Sequence, residues 1–299
     1  MTEDPAWPRA SAWLARGAQH VGPSDLALLG VPAHRTSISA TGAYATPAAI
    51  RAALARYSTY SAEHGVDVRA LVAVDAGDID EPDFAEGEAR VVARTAEVAA
   101  TTRLLVALGG DNSLTYGVAL GAWGEGMTAA GLITLDAHHD LRDGISNGSP
   151  VRRLVQAGLA GARVVQIGIA DFSNSADYAA RARDLGITVI TRGALRRRPI
   201  ADAMAEALGI AASAGGPVHV DLDVDVCDRA SVPGCPASAP GGISADELRQ
   251  AAFLAGRAPA VRSIDVAEID ATADAPDQRT VRLGALCVLE AAAGLALRT

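Results

Sequence analysis

Two short acidic clusters carry most of the chemistry legible in this sequence. Asp136, His138 and Asp140 close the apolar run 131–135, and Asp221, Asp223 and Asp225 occupy every second position before Asp228. In extended backbone, residues two apart project to one face, so each set is expected to present its side chains together. Decoration of a solvent-facing edge fits the second set poorly, because Val220, Leu222 and Val224 between the aspartates read as sheet core. Carboxylates with a single imidazole form a hard, oxygen-rich donor set that suits Mn²⁺ better than Zn²⁺, which recruits more His or Cys. Asp136, His138, Asp140, Asp223 and Asp225 are too many for one tetrahedral site and fit two ions sharing carboxylates. Water shared by such a pair loses a proton near neutral pH and becomes a hydrolytic nucleophile.

The elements that must position these residues follow from apolar runs. Strands are predicted at 26–32, 71–74, 103–108, 132–135, 163–169, 187–190, 218–224 and 263–269, with alanine-rich helical segments between nearly all of them. One helix is expected to open at Thr46-Pro47, with the residue before proline as its cap, and another covers 85–101. Continuous apolar strands alternating with helices predict an α/β fold, a three-layer α/β/α sandwich around a mostly parallel sheet. No linker or repeat divides the chain, so residues 1–299 are expected to form one domain. In such a sheet the ligand site lies at the carboxyl ends of the strands. Four of those ends carry polar groups: Asp111-Asn112, the 136–140 cluster, the 221–228 cluster, and Glu268. Carboxylates crowded on one edge repel one another unless cations neutralise them.

Composition narrows the class. The chain is 49% hydrophobic and 20% charged with net charge −9, and its longest basic run is Arg196-Arg197-Arg198, so no nucleic-acid footprint is present. All basic side chains are arginine. Cys227, Cys235 and Cys287 stand at no metal-finger spacing and read as buried thiols of a reducing cytoplasm. Met1-Thr2-Glu3-Asp4-Pro5 begins acidic, without the apolar core of a leader. The apolar run 281–297 is interrupted by Arg282 and Glu290, which predicts a closing core helix and no membrane span.

GGDNS at 109–113, DAHHD at 136–140, DLDVDVCD at 221–228, PGCP at 233–236 and Glu268 in EID together resemble the arginase/agmatinase/formimidoylglutamase superfamily, the ureohydrolases. GVPAHRTSISATGA and TPAAIR near the N-terminus extend the resemblance over nearly the whole chain. It implies an arginase-like fold with two Mn²⁺ per subunit and homo-oligomeric assembly. By the same resemblance Asp136 and Asp223 contact both ions, Asp140 binds one, and His138 and Asp225 bind the other. Asn112 stands where the family usually has a histidine ligand of the first ion and is itself counted among the expected metal ligands, and Asp221 stands where a small residue is more usual. Glu268 corresponds to the group that meets the substrate amidinium, Asp228 to an orienting carboxylate, and Asn147 replaces a proton-shuttling histidine.

DAHHDLR, SNGSPVR and QIGIADFSNS resemble the formimidoylglutamase branch in particular. That implies a small acidic amidine substrate, N-formimidoyl-L-glutamate, hydrolysed to L-glutamate and formamide in histidine degradation. Its carboxylates call for cations, so Arg142 and Arg152 or Arg153, with Asn147 and Ser149, are substrate-binding candidates. Asp140 or Asp228 is the expected proton carrier, and Glu268 is both catalytic and substrate-binding. Two alternatives stay open: an agmatinase or guanidino-acid hydrolase releasing urea, and a non-catalytic relative weakened at the first metal by Asn112.

Overall fold

The computed structural model describes residues 4, 6–17, 20 and 22–298; apart from Asp4, the acidic start of the chain lies outside them. Its strands are β1 (Ser24–Val31), β2 (Tyr60–Ser61), β3 (Val66–Asp67), β4 (Ala73–Asp78), β5 (Thr102–Gly109), β6 (Gly131–Leu135), β7 (Val164–Ile169), β8 (Thr188–Thr191), β9 (Val218–Asp223) and β10 (Val261–Ala267). β2 and β3 pair only with each other. The other eight form one sheet in the order β4-β1-β5-β10-β9-β6-β7-β8, with every neighbouring pair parallel.

Apolar runs located these eight strands because a parallel sheet is buried on both faces. The exception in position is β4, expected at 71–74. It is an edge strand, half-exposed beyond Ala73, and so carries Asp75 and Asp78 where a central strand carries aliphatics. The four strands whose ends bear the acidic and amide groups, β5, β10, β9 and β6, are consecutive at the middle of the sheet.

The helices are α1 (Ala10–Gly17), α2 (Thr46–Ala53), α3 (Phe84–Ala99), α4 (Leu114–Trp123), α5 (Pro150–Ala157), α6 (Ala176–Asp184), α7 (Arg192–Leu195), α8 (Ile200–Ala211), α9 (Ala245–Arg257) and α10 (Arg279–Ala296). One sheet face packs through Leu26, Leu104, Val220 and Ile264 against α1, α2 and α7–α10. The other is covered by α3–α6, completing three layers. Each aliphatic side chain fully buried here contributes about 1.5–3 kcal/mol. Thr46 is not the expected cap: it lies inside α2 after a 3₁₀ turn, and its hydroxyl donates to the Ile269 carbonyl.

On the α3–α6 face the apolar packing is split into two clusters. Between them runs a polar band of Thr134, Gln166, His219, Asp221, Ser263 and Asp265, all fully buried. Sheet register places Asp265 and Thr134 on either side of Asp221, and Ser263 beside His219. The band leads along the central strands toward their carboxyl ends.

Candidate metal centre

The alternation expected within each acidic cluster does not continue, because both strands stop early. β6 ends at Leu135, and Asp140 adopts φ +53°, a left-handed conformation that aspartate tolerates better than most residues. β9 ends at Asp223, whose side chain accepts the Asp225 amide at 2.8 Å and caps a 3₁₀ turn over Val224–Val226. These turns carry Asp225 across to the neighbouring strand end. Its Oδ1 accepts the Ala137 amide at 2.9 Å, and its Oδ2 lies 2.7 Å from His138 Nδ1, which is 3.5 Å from Asp136 Oδ1. Ligand atoms of Asp136, His138 and Asp225 all fall within 4.8 Å of one another.

The electrostatics are those of carboxylates gathered around too little positive charge. Burial pushes Asp136 up to about 7, with the Asp225 charge adding to it. Asp140 and Asp223 are raised well above the ordinary range, first by burial and then by the carboxylates around them. Burial disfavours the His138 cation, yet the Asp225 charge and hydrogen bonds to Asp136 and Asp225 prevail and push it up to about 12. Burial likewise opposes the Asp225 anion, but the His138 charge and hydrogen bond hold it below its usual range.

Beside this group lies a cavity of about 390 Å³ lined by His138, Asp140, Arg142, Asn147, Asp223 and Glu268, among others. Glu268 leaves the end of β10 at φ +62°. Its Oε1 accepts the Asn112 amide N–H and Asn147 Nδ2, each at 2.8 Å. Burial and the Asp111 charge outweigh those hydrogen bonds and push Glu268 up to about 8. Asn147 Oδ1 accepts the Ile38 amide at 3.0 Å, so its side chain is fixed at both ends. The turn at Gly109-Gly110 is required by space: a Cβ on Gly110 would meet the Ala33 carbonyl at 2.0 Å.

Several expected residues have other duties. Asn112 accepts the Thr115 hydroxyl at its side-chain carbonyl at 2.7 Å and donates its NH₂ to Asp140 Oδ2 at 2.8 Å, which places it against the metal-ligand loop. Asp228, expected as an orienting carboxylate or proton carrier, gives one oxygen to the Ala230 amide and the other to the Gly241 amide, away from the cavity lining. Ser149 closes its own turn through the backbone of Ser146. Arg153, expected to bind substrate, forms a two-pronged ion pair with Glu88 at 2.6 Å and lies over the Tyr116 ring. Arg152 clamps the carbonyls of Arg142 and Gly144.

Arg142 does line the cavity, and among the described residues its guanidinium has no carboxylate partner, unlike Arg153 and Arg181. Sequence reasoning assigned no role to Ser173, Asn174, Ser175 or Tyr178, which form another wall. Asn174 accepts the His139 amide at 3.0 Å and donates to the Ala137 carbonyl at 2.9 Å, bracing the metal-ligand loop. The available signal was position, since this segment follows β7, the strand next to β6.

The Arginase family model matches residues 24–294. The chain belongs to the arginase family. It is 36% identical over 256 residues to the formimidoylglutamase of Halalkalibacterium halodurans, covering 83% of this chain and 80% of that one. The crystal structure of formimidoylglutamase from Bacillus subtilis superposes with a TM-score of 0.92 at 32% identity, over 100% of this chain and 95% of the other. Formiminoglutamase from Trypanosoma cruzi, crystallised with Mn²⁺, gives a TM-score of 0.88 at 26% identity, over 98% of this chain and 100% of that chain.

The donors of this arginase-family chain fit the manganese expected from its sequence. They are carboxylates and one imidazole, and the buried Asp136 Oδ2 has no hydrogen-bond partner. An orphaned carboxylate oxygen inside a protein is costly unless a cation meets it. Among the described residues no helix is long and apolar enough to cross a membrane.

Proposed function

We propose that this chain is a Mn²⁺-dependent amidine hydrolase that converts N-formimidoyl-L-glutamate and water to L-glutamate and formamide. The observation that carries the reading is the meeting of Asp136, His138 and Asp225 beside a cavity also lined by Glu268 and Arg142. Its relatives' names support the substrate. Asp136 and Asp223 would be shared between two ions, with Asp140 on the first and His138 and Asp225 on the second. Bound ions of this kind supply a nucleophile from water at neutral pH.

The chain's own residues do the rest. Glu268 keeps Oε2 for the amidine N–H groups, because Oε1 is occupied by Asn112 and Asn147. A carboxylate facing an N–C–N cation forms charge-assisted hydrogen bonds, which fix the carbon to be attacked. Asn147 cannot titrate, so it holds Glu268 and leaves proton transfer to Asp140, which faces the cavity. Asp140 carries a proton to the departing glutamate nitrogen. Arg142 receives a substrate carboxylate with its planar fork. The same reading has residues 1–299 acting as one domain of a cytoplasmic homo-oligomer.

Formimidoylglutamate, agmatine, arginine and guanidinobutyrate, offered in parallel to Mn²⁺-loaded protein, test the proposal. Glutamate and formamide from the first are expected to exceed urea from the others by at least about 100-fold. Faster urea release from any guanidine would overturn the substrate assignment.

A further inference from the structure

We propose that Gly148 and Ile38 are positioning residues that seat the Arg142 side chain, so that the turn orienting the amidine receptor Glu268 also fixes the carboxylate receptor. The inference rests on the substrate reading above and adds two residues to it.

Gly148 is a glycine for space and not for conformation. Its φ lies outside the left-handed region, unlike that of Gly144 at +80°, so the backbone there accepts an L-residue. The room does not exist: a Cβ on Gly148 would meet Arg142 Cδ at 2.7 Å, Arg142 Nε at 3.1 Å and Ile38 Cδ1 at 3.1 Å. The space of the missing side chain is therefore taken by the Arg142 stem and the end of Ile38. An arginine lays its methylenes on apolar surface and keeps its charged head free. Arg142 lines the cavity and has no ion-pair partner among the described residues. Ile38, 56% exposed at the cavity wall, gains a duty that its burial alone would not explain.

The backbone of the same turn is tied down. The Arg142 amide donates to the Gly148 carbonyl at 3.0 Å, and Arg152 Nε donates to the Arg142 carbonyl at 2.6 Å. Asn147, just before Gly148, accepts the Ile38 amide at 3.0 Å and donates to Glu268 at 2.8 Å. One dipeptide thus orients Glu268 through a side chain and Arg142 through the lack of one. A substrate carrying an amidine and a carboxylate meets two receptors held on a common support. A long side chain ordered before binding spares the complex the entropy of ordering it, so the effect belongs to affinity more than to the chemical step.

The test is a double-mutant cycle on the full-length, Mn²⁺-loaded chain with formimidoylglutamate. Gly148→Ala suits the backbone and displaces only a flexible side chain, so fold and Mn²⁺ occupancy are expected to survive. Its KM is expected to rise at least about 10-fold with kcat kept within about 3-fold. In an Arg142→Ala background, which has no stem to displace, the same substitution is expected to change KM by less than about 2-fold. Ile38→Ala should raise KM by about 3-fold or more, again only while Arg142 is present. This exposed site decides the question by itself if Gly148→Ala does not fold. An unmoved KM, or a KM that rises equally with and without Arg142, overturns the inference, because neither residue would then act through Arg142. No hydrolysis of formimidoylglutamate by the unaltered chain would overturn the substrate assignment and this inference with it, whereas hydrolysis with an additive cycle overturns this inference alone.

Discussion

Asn147 Nδ2 donates to Glu268 Oε1 at 2.8 Å across 121 residues of sequence, joining the loop after β6 to the end of β10. Where a titrating histidine is usual in this family, a neutral amide instead orients the carboxylate proposed to meet the substrate. Glu268→Gln is expected to lower kcat/KM by about 100-fold or more while leaving Mn²⁺ occupancy unchanged. Asn147→Ala removes a hydrogen bond that draws the Glu268 pKa down. The acidic limb of its pH–rate profile is therefore expected to move to higher pH, with a smaller loss of rate. A profile that stays in place would separate Asn147 from the ionisation of Glu268.

The metal-free chain is expected to lose stability as pH rises. Glu268 goes from an ordinary value of 4.5 to about 8, and Asp136 from 3.8 to about 7. Between those limits the folded chain holds protons that the unfolded chain has released, so stability is present at low pH and is lost through the folded pKa values. Each such group contributes a slope of about 1.4 kcal/mol per pH unit in its window. Thermal melts from pH 5 to 8.5 in chelator should show Tm falling. Mn²⁺ should raise Tm most at the alkaline end, where its ligands are already deprotonated.

Asp225→Asn should remove both a ligand and the charge that keeps His138 protonated. Mn²⁺ affinity is expected to fall by more than about 100-fold and activity with it. In the metal-free variant the His138 pKa, read by NMR, should drop from about 12, because the Asp225 charge is the largest influence raising it. A His138 that still titrates only at high pH would contradict the geometry.

Arg142 and Arg153, alike in sequence, should behave differently. Arg142→Ala is expected to raise KM for formimidoylglutamate at least about 10-fold with little effect on Tm, since Arg142 lines the cavity and has no ion-pair partner among the described residues. Arg153→Ala should cost about 2 kcal/mol or more in stability, by leaving the largely buried Glu88 alone and uncovering Tyr116. Urea melts and steady-state kinetics on the two variants check both halves.

What was legible in the sequence divides along physical lines. Strands buried on both faces announce themselves as continuous apolar runs, and the polar groups at their carboxyl ends pointed to the candidate site. Where each strand stops was not legible, so Asp140 and Asp225 were expected in extended runs that the chain leaves at Leu135 and Asp223. Local spacing also says nothing about distant partners. Arg153 looked available for substrate because Glu88 stands 65 residues away, and Asp228 looked catalytic because the Gly241 amide that holds it lies 13 residues on.

The place of β10 has a consequence for how the molecule is made. It is the last strand in the chain, yet it lies between β5 and β9 and alone joins β4-β1-β5 to β9-β6-β7-β8. A chain emerging from the ribosome can assemble either half-sheet, but the halves have no shared hydrogen-bonded edge until residues 261–267 arrive. The candidate site straddles that seam, with Asn112 from one half, Asp136 and Asp225 from the other, and Glu268 on the closing strand. The aspartate and histidine metal-ligand candidates all stand at the ends of β6 and β9, so what the closing strand adds is Glu268, brought against Asn112 and Asn147: the part of the pocket proposed to hold substrate is the last to be made.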